Sequence, residues 1–96
     1  MTYKKGMSAA ARGRLAEKLV QKNLWRRNYR VKDVAHIPPK SFDLYVNDKY
    51  RLEVKSMVGN STSFTLNPDS FDVLCVVSMS EIDTSVFYLK NKADLE

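Results

Sequence analysis

Two carboxylates and an amine fall on what the spacing predicts to be one face of a β-hairpin: Asp43, Glu53 and Lys55. Phe42–Val46 and Tyr50–Lys55 alternate apolar and polar residues around Asn47-Asp48-Lys49. A three-residue loop there pairs Val46 with Tyr50. Leu44 then faces Leu52 and Phe42 faces Val54, which gives one wholly apolar face. The other face carries Asp43, Tyr45, Arg51, Glu53 and Lys55. In this register Asp43 lies opposite Glu53, with Cβ atoms about 5 Å apart. A two-residue loop would set Asp43 against Leu52 and mix the faces. Opposed carboxylates repel and weaken a sheet. A hard divalent cation removes that repulsion, since Mg2+ takes one or two carboxylates and fills its shell with water and phosphate oxygens. Lys55 shares the face and can orient a water or offset charge developing at a phosphate. The plainer account is a half-solvated hairpin with a polar outer face, and it leaves the opposed acids unexplained.

The rest of the chain must hold that hairpin. Ser8 can cap a helix running to about Leu24 or Trp25, with Leu15, Ala16, Leu19, Val20 and Leu24 forming one apolar stripe. Glu17 sits at the edge of the stripe. Gly13 inside this helix marks either a break or a close approach, because glycine costs about 1 kcal/mol there relative to alanine. Tyr29–Val34 reads as a strand and His36–Lys40, with Pro38 and Pro39, as a loop. Gly59–Ser63 is turn-like, Phe64–Leu66 is a short strand, and Asn67–Ser70 is a turn or one helical turn. Phe71–Ser78 is an apolar strand whose continuous run suits a sheet covered on both faces. Val86–Lys90 is the last strand. The predicted architecture is α/β (α+β), an N-terminal helix packed on a mixed central β-sheet. It forms a single domain over residues 1–96, with 1–7 as a flexible basic N-terminus.

Charge is unevenly spread. Residues 1–40 hold eleven Lys and Arg against Glu17 and Asp33, a net +9, which leaves −4 for the remainder of a +5 chain. A strongly basic half suits a polyanionic partner, usually nucleic acid, and the alternative is a solvated basic helix. The residues expected to meet phosphates are Lys4, Lys5, Arg12, Arg14, Arg26, Arg27, Lys40 and Ser41. No stretch approaches the roughly 20 apolar residues of a membrane span, and the first twenty residues lack a signal-peptide apolar region. One cysteine, Cys75, excludes an internal disulfide framework and suits a reducing, cytoplasmic setting, a host cell's if the chain is virus-encoded. One cysteine and one histidine cannot build a structural zinc site.

Nine residues separate Asp43 from Glu53-Val54-Lys55, and this arrangement resembles the PD-(D/E)xK signature of a nuclease superfamily. That superfamily includes type II restriction enzymes. The chain is most similar to archaeal Holliday junction resolvase-like members and to intron-encoded endonucleases. Resolvase-like members open with a basic stretch and a helix bearing a glutamate four residues after a glycine, the spacing of Gly13 and Glu17 here. The resemblance implies a restriction-endonuclease-like core. It implies a catalytic set of Glu17, Asp43, Glu53 and Lys55, with metal held by Asp43, Glu53 and the Val54 carbonyl. It also implies Mg2+-dependent hydrolysis of DNA phosphodiester bonds, with Mn2+ able to substitute, on duplex, branched or junction DNA. The alternative function is a nucleic-acid-binding protein that keeps the nuclease fold without cleavage. Ser41-Phe42 stands where the family usually has a proline before the aspartate. Gly59, Asn60 and Pro68 argue against the helix that often follows the lysine.

Resolvase-like relatives are dimeric, so a homodimer or larger symmetric assembly is expected, and a core this small leaves little stability margin alone. Phe71, Val73, Val77, Val86, Phe87 and Leu89 are the candidate contact, or else internal core. Cys75 is expected to be an inert core residue and His36 to have no catalytic part. Trp25 and Tyr29 flank Arg26 and Arg27 and are expected at the core and its edge, with stacking on bases the lesser alternative.

If phosphate contacts dominate binding, affinity for duplex DNA falls steeply with salt, log K dropping by about 0.9 per phosphate neutralised for each decade of salt. Charge reversal at Arg12, Arg14, Arg26 or Arg27 is expected to weaken all sequences alike. Fluorescence anisotropy over a salt series checks this, and a salt-insensitive affinity contradicts it.

Overall fold

A computed structural model describes residues 3–34, 37, 42–58, 68–80 and 83–89. Ser8 caps the first helix as expected, its Oγ accepting from the Ala11 N–H at 3.1 Å. That helix, α1, spans Ala9–Trp25 and buries Leu15, Ala16, Val20 and Leu24. It runs through Gly13 without a break, and a Cβ added there would meet nothing within 4 Å. Gly13 therefore marks no interruption, and no close approach of another part of the described chain. The C-terminal end closes with Asn28 at φ 65, its N–H donating to the Trp25 carbonyl, while the Tyr29 N–H reaches the Leu24 carbonyl. These are the two crossed bonds of a Schellman ending, with asparagine in the left-handed position that usually takes glycine. Tyr3 and Met7, from the segment expected to be flexible, pack against the core.

Among the described residues five strands follow: β1 (Val31–Asp33), β2 (Leu44–Val46), β3 (Tyr50–Val58), β4 (Val73–Met79) and β5 (Thr84–Leu89). They form one sheet in the order β1-β2-β3-β4-β5. Only β3 and β4 pair in parallel, so the sheet is mixed, as expected. A single helical turn, Pro68–Ser70, lies in the crossover between those two strands. The expected turn at 59–63 and strand at 64–66 lie outside the described residues. β3 runs on through Met57 and Val58, so the chain leaves Lys55 as strand rather than helix. Several ends differ from expectation. β1 is shorter than Tyr29–Val34, and β5 starts earlier than Val86.

The hairpin register is as the spacing predicts, with Leu44 on Leu52, Tyr45 on Arg51 and Val46 on Tyr50. Asn47 and Asp48 turn the chain at φ 54 and 55, and the Lys49 N–H donates to the Val46 carbonyl. Two successive left-handed residues match the right-handed twist of the strands, and Asn and Asp tolerate that conformation better than other side chains. The Asn47 side chain also accepts the Arg30 N–H at 2.9 Å, tying the turn to the segment that leads into β1.

The core is a helix-on-sheet layer. Leu44, Val46, Leu52, Val54, Cys75, Val77 and Met79 form one buried cluster with the α1 stripe. Leu74 alternates to the opposite face and is also buried, as is Phe71, so both faces of β4 are covered in part. Phe71 and Val77 are thus internal, Val73 and Val86 pack partly buried against the cluster, and the side chains of Phe87 and Leu89 lie outside the described residues. Trp25 is 54% exposed and Tyr29 42%, so neither is a core residue. Among the described residues, no helix is long and apolar enough to cross a membrane.

Leu44 is fully buried where β2 meets the helix. Leu44→Ala is expected to destabilise the protein by about 2–5 kcal/mol, the range of buried leucine truncations. Trp25→Ala is expected to stay within about 0.5 kcal/mol, as at an ordinary surface site. Urea denaturation of the two variants checks the contrast.

Candidate metal centre

The pairing of β2 with β3 stops at Leu44 and Leu52, one residue short of Asp43. Asp43 is therefore not the cross-strand partner of Glu53 that the hairpin pattern predicts. Its N–H donates to the Leu52 carbonyl at 2.9 Å, and its Oδ2 accepts the Val54 N–H at 2.8 Å. The carboxylate stands in for a main-chain acceptor at the point where β2 ends. Its own carbonyl accepts the Val34 N–H at 3.0 Å. Two main-chain bonds and one side-chain bond thus fix Asp43 at the end of a short strand. The same contact holds the peptide N–H of Val54, between Glu53 and Lys55.

Glu53 comes to Asp43 all the same. The Glu53 carboxyl is pushed up to about 8, by burial first and then by the neighbouring Asp43 carboxylate. Lys55 pulls it the other way, and Glu17 pushes it further up. Glu17 reaches the group from α1. It is half-buried and pushed up to about 7, chiefly by burial, then by Asp43 and by Asp33, with Arg14 opposing. Glu53 thus feels the other three residues expected at the site, although they come from a helix, a strand end and its own strand.

Two acids crowded until one of them resists ionisation leave a place that a cation can take. Among the described residues no three acidic, histidine or cysteine side chains converge as a cage. A magnesium site needs no such cage, since one or two carboxylates suffice when water and phosphate complete the shell. Asp43 and Glu53 fit that donor set. Cys75 lies near Asp43, and its thiol is pushed up to about 12, mainly by burial, as an inert core cysteine should be.

Two features escaped the sequence pattern. Asp33 ends β1 opposite Leu44 and adds to the negative field at Glu17. Nothing in a three-residue edge strand marks it in advance. Arg51, on the polar face of β3, is clamped by Asp72: Nε to Oδ2 at 3.1 Å, Nη2 to Oδ1 at 3.0 Å, and the Arg51 N–H to Oδ2 at 2.9 Å. This fork ties the start of β3 to the entry of β4. Asp72 follows Phe71 just before an apolar run, a position with no pattern to single it out.

Of the cations expected to meet phosphates, Lys4, Lys5, Arg14, Arg26 and Arg27 are exposed. Arg12 is half-buried and donates to the Met7 carbonyl at 2.8 Å, so it also holds the N-terminal turn. Lys40, Ser41 and His36 lie outside the described residues. Comparison with family models, with curated proteins and with solved structures finds no match to the chain. The fold itself defines the class: an α+β protein with one N-terminal helix on a five-stranded mixed sheet.

An acid whose folded pKa lies above its unfolded value of 4.5 is stabilising when protonated. That stability is lost as pH rises from about 4.5 through about 7 for Glu17 and about 8 for Glu53. Thermal unfolding without divalent cation is therefore expected to show Tm falling across this window. Glu53→Gln is expected to reduce the fall and to gain on the native protein most at the alkaline end. Parallel pH curves for the two proteins would mean that Glu53 does not carry the effect.

Proposed function

We propose that the chain is a divalent-metal-dependent endonuclease that hydrolyses DNA phosphodiester bonds, built on a restriction-endonuclease-like core of the PD-(D/E)xK type. The observation that carries this reading is the Asp43 carboxylate, pinned by the Val54 N–H beside Glu53 and Glu17, both of which it pushes up. A structural surface gains nothing from crowding acids until two of them resist ionisation. A site that must take up a hard cation does.

Asp43 and Glu53 would hold the cation, with the Val54 carbonyl as a further oxygen donor. A bound Mg2+ supplies a polarised water and neutralises phosphate charge. Lys55 lies two residues beyond Glu53 on the same face, where its ammonium can orient the attacking water and stabilise charge on the phosphate oxygens. Glu17, titrating near neutrality, is suited to hold a water by a hydrogen bond. The exposed cations of the N-terminal half would track the phosphate backbone without reading sequence.

Cleavage of a panel of linear, branched and single-stranded DNA, with Mg2+ or with EDTA, tests the reading. Cleavage is expected with Mg2+ or Mn2+ and to be lost in EDTA. Asp43→Asn keeps an acceptor for the Val54 N–H but loses the charge. It is expected, like Glu53→Gln, to abolish cleavage while the fold and DNA affinity survive. Lys55→Ala is expected to lower the rate about a hundredfold, the scale of removing one transition-state donor. Undiminished cleavage in EDTA would sink the proposal. Salt-sensitive binding without cleavage under any metal would leave the non-catalytic nucleic-acid-binding alternative.

A further inference from the structure

A cleft of about 470 Å3 opens at the hairpin end of the helix-covered layer, between the last turn of α1 and the start of β3. Three tyrosines line it, Tyr29, Tyr50 and Tyr88, with Leu24 and Val73 beneath. Its volume is in the range of small-ligand sites, which run from about 300 to 1,000 Å3. Tyr29 and Tyr50 are 42% and 40% exposed. Tyr88 is held from below, its hydroxyl donating to Asn23 Oδ1 at 2.8 Å. Cations sit on two of the rings: the Arg27 guanidinium is 5.9 Å from the Tyr88 centroid and the Lys49 ammonium 5.1 Å from that of Tyr50. Exposed Arg26 adjoins Arg27, while Arg30 is engaged by Asp48 at 3.4 Å.

We infer that this cleft is a stacking site for an unpaired nucleobase of a nucleic-acid strand whose phosphates meet Arg27 and Lys49. The inference rests on the nucleic-acid reading of the site but concerns a different region of the surface. An aromatic ring with an attached anion is the ligand chemistry that uses both tyrosine faces and flanking cations. A purely apolar peptide segment would leave the cations idle. A double-stranded stack presents no free base face to the rings.

The cleft is also within reach of the carboxylates. Glu17 and Leu24 are seven residues apart on one helix, about 10 Å at the helical rise. That is about three nucleotides of a stacked strand, at about 3.4 Å each. A strand anchored by one base in the cleft would thus bring a phosphate a few nucleotides away to the level of Glu17 on α1. The preferred substrate is then one with unpaired nucleotides close to the cut.

The test uses the full chain in EDTA, where no cleavage occurs, with a short single-stranded DNA carrying one 2-aminopurine and a blunt duplex of equal length. Binding of the single strand is expected to quench the fluorescent base. Tyr29→Leu and Tyr50→Leu are each expected to weaken single-strand affinity about tenfold, the scale of one lost stacking partner. Duplex affinity should stay unchanged. Tyr29→Phe and Tyr50→Phe keep the ring and are expected to bind as the native protein does. Native single-strand affinity in both leucine variants overturns the inference. So does equal weakening by phenylalanine, which would assign the effect to the hydroxyl. Base quenching in a protein that never cleaves would remove the nuclease reading and leave the stacking site standing. Cleavage with leucine variants of native affinity would do the reverse.

Discussion

The bond from the Val54 N–H to the Asp43 carboxylate is the constraint around which the acidic site is organised. It forms because β2 is only three residues long and its pairing with β3 ends at Leu44. Beyond that point the Val54 N–H needs an acceptor, since a buried backbone donor left unpaired is costly. Asp43 provides it with a side-chain oxygen, and its own N–H returns to Leu52. A carboxylate used in this way has one conformation rather than several. It also retains lone pairs, since two carboxylate oxygens can accept about four bonds.

The consequence is electrostatic crowding. With Asp43 fixed, Glu53 on the next strand and Glu17 on the packed helix cannot both ionise freely, and both are held well above the usual carboxylate range. Burial is the larger cause in each case. The same packing that buries Leu15, Ala16 and Val20 of α1 against the sheet carries Glu17 into this field. The helix therefore has two tasks, to cover one face of the sheet and to bring an acid to the edge of it. The protein bears a local cost in stability at neutral pH, and the apolar layer beneath offsets it.

The rest of the frame keeps strands and helix in register around that point. The Arg51–Asp72 fork joins β3 to β4 on the polar face. The Asn28 ending of α1 and the Asn47-Asp48 turn lie at the far end of the layer, both at left-handed φ without glycine. Between them the tyrosine cleft opens, so that acids gather at one end of β2 and aromatic rings with cations at the other. On the proposed reading, a strand of nucleic acid lies between the two, its phosphates drawn by the basic helix and its reactive bond brought to the acids.

The local elements were legible in the chain because each rests on near neighbours. Ser8 as a cap, the α1 stripe, the Val46–Tyr50 register and the buried Cys75 all follow from periodicity and turn chemistry over a few residues. Glu17, Asp43, Glu53 and Lys55 were singled out by type and spacing, and the structure places Glu53 in the field of the other three. Their geometry was not legible. Alternation along the strands places Asp43 squarely across from Glu53, yet β2 ends one residue earlier and Asp43 turns to bond Val54. Strand length of this kind depends on how β1 and the helix end meet the sheet, and no local pattern records that. Asp33 at the site, the Arg51–Asp72 fork, and the exposure of Trp25 and Tyr29 likewise arise from contacts between residues far apart in the chain. The sequence by itself determined which groups can do chemistry and which elements carry them. The tertiary structure decided which acids are held above the usual carboxylate range, because burial and proximity set that and both exist only once the layers have packed.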